Sequence, residues 1–166
     1  AFLVAGALGA LPAVFGRWRV HPGWILLGLL TPLLLHLPAT LALVTLGGTP
    51  SQWFYPPIGG EAIAALVIFS IGDEFGWRGF AYPRLAERWG PVAGSLALGL
   101  LWALWHLLLS ISPETGSLDL PRFAIAWAEL PLLSGGFAVL VQRGGRSMSV
   151  ASALHTGLHL HNTARP

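Results

Sequence analysis

The residues best able to do chemistry in this 166-residue chain fall in three places. The first is Asp73-Glu74-Phe-Gly-Trp-Arg78-Gly79, directly after the apolar run from Ala62 to Ile71. On a helix Glu74 and Arg78 stand at i and i+4 and share a face. A buried ion pair that only neutralises itself would explain those two residues alone. Asp73 adds a second carboxylate, and two adjacent acids suit general acid–base work on a water. The second is His106, in Trp102-Ala-Leu-Trp-His106. A histidine among tryptophans is ordinarily an interfacial residue, but this one lies deep in an apolar stretch. The third is His155 and His159, again at i and i+4, a spacing that lets two imidazoles share one metal. Thr156-Gly157-Leu158 lies between them, so this is not the H-E-x-x-H pattern. His161 and Asn162 read as water-facing end residues, and His21 and His36 have no evident partners.

The elements that position these groups look made for lipid. Hydrophobic residues make up 54% of the chain, charged residues 10%, and mean hydropathy is +0.67. Soluble domains carry about 25% charged residues. Three ionised side chains near a bilayer centre would cost on the order of 8–10 kcal/mol if nothing offset them, so the 73–78 cluster is a functional-site candidate. With no cysteine there are no disulfides, zinc–thiolate sites or thiol nucleophiles. A net charge of +2, carried by nine arginines and no lysine, is too small and scattered for nucleic-acid binding. Ala1 opens in an apolar run and the one methionine is Met148. A segment of a longer chain is therefore expected, and a missing signal peptide carries no weight.

Spans of ~20 apolar residues cross a ~30 Å hydrocarbon core. Six are predicted: Ala1–Phe15, Trp24–Leu46 with kinks at Pro32 and Pro38, Ala62 to Arg84 or Arg88, Pro91–Ile111, Phe123–Val141 and Met148–Asn162. Pro50, Pro56 and Pro57 beside Trp53, Phe54 and Tyr55 suggest an interfacial loop from Gly47 to Gly60. A polar loop follows at Ser112–Pro121, and Gly135-Gly136 is expected to let helices pack closely. The fold class is thus all-α, a polytopic transmembrane bundle of about six helices, as a single membrane domain over residues 1–166. Alternating the loops puts Arg17, Arg19, Arg84, Arg88, Arg143 and Arg146 on one side, cytoplasmic by the positive-inside rule. Counted from Trp89, Glu74 lies roughly 22 Å and His106 roughly 25 Å into the membrane. Each of Glu74, His106 and His155 alone would be an uncompensated polar group in hydrocarbon, so the three are expected to converge on one polar cavity.

The motifs together resemble the CPBP intramembrane proteases, the group of CAAX prenyl endopeptidases and Abi bacteriocin-immunity proteins. That pattern is E-E-x-x-x-R, an aromatic-x-x-x-H and H-x-x-x-N on successive helices. It falls here on Asp73, Glu74 and Arg78, on Trp102 and His106, and on His155 and position 159, within a core spanning residues 60–162. Asp73 replaces a Glu, His159 an Asn and Trp102 a Phe. The resemblance implies an intramembrane endopeptidase in a bacterial cytoplasmic membrane, acting on a peptide or protein substrate that is itself membrane-anchored or not. Glu74 would be the general base, His106 and His155 would position water or the oxyanion, and Arg78 would hold the carboxylates. His159 would be a hydrogen-bond donor or a ligand. The implied chemistry runs with Zn2+ on Glu74, His106 and His155, or without a metal. A non-catalytic membrane binding or immunity protein using the same cleft is the alternative. A proton-coupled transporter would call for inverted repeats, and no repeat is legible.

Overall fold

The computed structural model describes residues 18–49, 59–107, 110–111 and 116–162. They form α1 (Pro22–Thr45), α2 (Gly60–Glu74), a π-helical segment (Phe75–Ala81), α3 (Tyr82–Trp89), α4 (Pro91–His106), α5 (Leu120–Arg143) and α6 (Met148–Asn162). There is no strand among the described residues. Ile111 and Leu118 make an isolated antiparallel bridge in the connection before α5.

The chain is helical as predicted, but the predicted spans fare differently. Pro22–Thr45 and the Phe123–Arg143 part of α5 are the two helices, among the described residues, long and apolar enough to cross a bilayer. The predicted third span is divided by the π-helical segment, and the fourth leaves regular helix at His106. The 16 residues of α4 and 15 of α6 reach about 24 Å or less at 1.5 Å per residue, short of a ~30 Å core. The predicted first span, and positions 50–58 of the predicted interfacial loop, lie outside the described residues. α1 runs through Pro32 and Pro38. His21 has a role its sequence context did not suggest: Gly23 N–H donates to its Nδ1 at 3.2 Å, capping α1.

α6 packs along α1 and α2 and touches α5, while α4 packs against α5 and α3. Glycines set these approaches, Gly94 among them, where a Cβ would come within 2.7 Å of the Ala86 backbone nitrogen. A Cβ on Gly157 would come within 2.6 Å of the Leu29 carbonyl oxygen, and one on Gly99 would overlap the Pro131 backbone. Gly135 and Gly136 do not have the predicted packing role, because a Cβ on either meets nothing within 4 Å. Gly135 instead borders a groove of about 400 Å3 between α4 and α5.

Polarity is inverted relative to a water-soluble bundle. Glu74, Arg78, His155, Thr156, Ser70, Ser95, Ser134 and Ser152 are buried, while Leu35, Ile68, Phe69, Val92 and Leu132 face outward. An apolar exterior of this extent suits hydrocarbon rather than water. Arg19, Arg84, Arg143 and Arg146 gather at one end, whereas Arg122 lies at the opposite end of α5. Trp18 O accepts from Ser149 Oγ at 2.7 Å, bringing the Arg19 region to the turn that carries Arg146. Gln142 Nε2 donates to Tyr82 Oη, joining the start of α3, and so Arg84, to the Arg143 end of α5.

Candidate active site

The site forms where α2 passes into the π-helical segment. Glu74 is the last residue of α2 and Arg78 lies in the π-helical run. Such runs recur at functional sites because the widened turn redirects side chains. Tyr82 N–H reaches back five residues to Trp77 O, the bond that defines the widening. Arg78 Nη1 donates to Glu74 Oε1 at 2.8 Å, and both side chains are almost wholly buried.

α6 supplies the second partner. His155 Nδ1 lies 2.7 Å from the same Glu74 Oε1. Because a carboxylate only accepts, Nδ1 carries the proton, and in the neutral ring Nε2 keeps a lone pair. This bond joins the first and third motifs across 81 residues of sequence. His159, one turn on, stacks on His155 with centroids 4.7 Å apart and planes 15° from parallel. The i, i+4 pair therefore meets through its ring faces.

α4 brings the remaining histidine. His106 Nδ1 sits 2.9 Å from Trp102 O, so it donates to that carbonyl and leaves Nε2 as the acceptor. The Trp102 ring is the hub between motifs. It meets His106 edge-on at 5.5 Å and His155 at 5.6 Å, and the Arg78 guanidinium lies over it at 4.5 Å. Asp73 is only half-buried and within electrostatic range of His155, Glu74, His106 and Arg78. His159 is likewise within range of His155, His106 and Glu74.

Glu74, Arg78 and His155 are thus in direct contact, His106 joins them through Trp102, and Asp73 and His159 lie beside them. The geometry separates the two carboxylates. Glu74 has no exposed surface and its Oε1 accepts twice, whereas Asp73 reaches the surface. Among the described residues no three His, Asp or Glu side chains are grouped to hold a metal. Of the zinc set read from the motifs, Glu74 has its Oε1 taken by Arg78 and His155, while its Oε2 is buried without a hydrogen-bond partner. The side chains of His36, His161 and Asn162 lie outside the described ones.

Sequence reasoning missed Phe137. It is buried on α5, edge-on to Trp102 at 5.8 Å and to His155 at 6.3 Å. In sequence it is one apolar residue within an apolar helix, and nothing there distinguishes it.

Residues 57–161 match the family described as type II CAAX prenyl endopeptidase Rce1-like. The chain belongs to that family. It is 30% identical over 89 residues to CAAX prenyl protease 2 of Methanococcus maripaludis, an overlap of 49% of this chain and 32% of the relative. The chain thus spans about a third of the length of that curated relative. No solved structure matches it. The motif resemblance is upheld on its CAAX endopeptidase side: the family is one of membrane-embedded proteases.

Proposed function

We propose that the chain carries the catalytic centre of an intramembrane endopeptidase in which Asp73, rather than Glu74, activates the water. The observation that carries this reading is the 2.7 Å bond from His155 to Glu74. It ties the first and third motifs into one buried unit and leaves Asp73 as the carboxylate with access to the outside. In the reaction, a water held between Asp73 and the His106 Nε2 lone pair gives its proton to Asp73 as its oxygen attacks the peptide carbonyl carbon. His159, stacked on His155, donates a ring N–H to the resulting oxyanion. The C–N bond then breaks, the nitrogen takes the proton from Asp73, and a carboxylic acid and an amine leave. No step passes through a metal. The relative's name points to a CAAX peptide bearing a prenyl chain as the first substrate to try. The arginine-rich end is read as cytosolic.

The test is cleavage of such a peptide by purified protein in detergent. Asp73→Asn is expected to lower kcat by about 10²–10⁴-fold, the usual worth of a general base, with the protein still folded. Full activity in Asp73→Asn would remove Asp73 from the role. A protein acting by binding alone would show no cleavage in any form and tolerate Asp73→Asn in its cellular function.

A further inference from the structure

We infer that Phe137 is a positioning residue for the site, holding Arg78 by its ring face and through Arg78 fixing the Glu74–His155 pair. The inference rests on the endopeptidase reading only for the reaction it serves. Its geometry stands apart from it. The Arg78 guanidinium carbon lies 4.0 Å from the Phe137 ring centroid and 4.5 Å from that of Trp102. Arg78 Nη1 donates to Glu74, while Nε and Nη2 have no hydrogen-bond partner among the described residues. A buried guanidinium with one acceptor is under-compensated, and negative ring faces are what the fold offers for the rest. Phe137 comes from α5, an element that carries none of the motifs. With Trp102 on α4 it completes an aromatic bracket around a charge on the π-helical segment, and its edge also rests against His155 on α6. If the bracket loosens, Arg78 can swing and Glu74 loses the partner that fixes its Oε1 towards His155.

Shape and charge can be separated by replacing Phe137 in the full chain with 4-fluoro- and 3,4,5-trifluorophenylalanine. These keep the ring close to its size while draining its face of negative charge. The two readouts are peptide cleavage and the ring ¹⁵N signals of His155 in histidine-labelled protein. We expect kcat to fall stepwise, about tenfold by the trifluoro form, with KM little changed and the His155 signals moving in the same order. Phe137→Tyr should keep both readouts and Phe137→Leu should lose both. A flat kcat across the fluorinated series, or His155 signals that stay in place, overturns the inference. If the unsubstituted chain cleaves no peptide, the endopeptidase reading fails by itself. His155 signals that still move would then uphold Phe137's role in positioning, and unmoved signals would overturn it.

Discussion

Glu74 Oε1 accepts from Arg78 at 2.8 Å and from His155 at 2.7 Å, with no solvent in reach of either bond. Breaking a buried pair by removing one partner leaves an uncompensated charge, at about 3–5 kcal/mol. Glu74→Gln is therefore expected to lower stability by that order, measured by denaturant unfolding in detergent. Asp73→Asn, at a half-buried position, should change it by no more than about 1 kcal/mol. Both variants should lose cleavage, so the stability measurement separates the carboxylate that holds the site from the one that acts in it. Equal stability losses would collapse the distinction. The sequence shows both acids and the i, i+4 arginine, and the structure brings the six candidate residues it singles out near one another. The sequence does not show which acid faces inward. Adjacent helical positions differ by about 100°, and the arrival of His155 from α6 decides between them.

Gly99 and Gly135 differ in what their missing side chains allow. At Gly99 an added Cβ overlaps the Pro131 backbone of α5, which cannot rotate out of the way, whereas at Gly135 it points into open space. Gly99→Ala should push α4 off α5 and lower stability by about 1–3 kcal/mol, the range for overpacking. Gly135→Ala should be neutral, or stabilising by about 0.5–1 kcal/mol through helix propensity. Unfolding of the two variants side by side checks this, and a larger loss at Gly135 would reverse the packing assignment. The adjacent pair Gly135-Gly136 is the more conspicuous feature in sequence, yet the isolated Gly99 makes the contact. Close approach depends on which face a partner helix meets, and composition along one helix does not carry that. The same limit applies to the third predicted span. Its apolar run and its charged end are legible, whereas the seven-residue π-helical segment that divides it depends on how Glu74, Arg78 and the neighbouring helices settle.

At the scale of the whole molecule, the described residues bury the polar site, turn many leucines outward, and hold Arg19, Arg84, Arg143 and Arg146 at one end. Hydrogen bonds tie the segments that carry Arg19, Arg84, Arg143 and Arg146 together, and these four side chains are exposed along with Arg88. If hydrocarbon surrounds the leucines, that end must lie in water on one side of the bilayer, and the positive-inside rule makes it the cytosolic side. The chain has no cysteine, so single-cysteine variants need no background substitution. Cysteines placed at positions 19, 84, 88, 143 and 146 are expected to react with a membrane-impermeant maleimide only after the cells are opened. A cysteine at Leu35 or Leu132, on the outward apolar faces of α1 and α5, should resist the reagent in both conditions because thiolate chemistry needs water. Labelling of position 84 from outside intact cells would invert the orientation, and labelling of 84 and 143 from opposite sides would break the one-ended arrangement itself. The second result would also separate Tyr82 from Gln142, so it would count against the packing of α3 on α5 as well as against the topology.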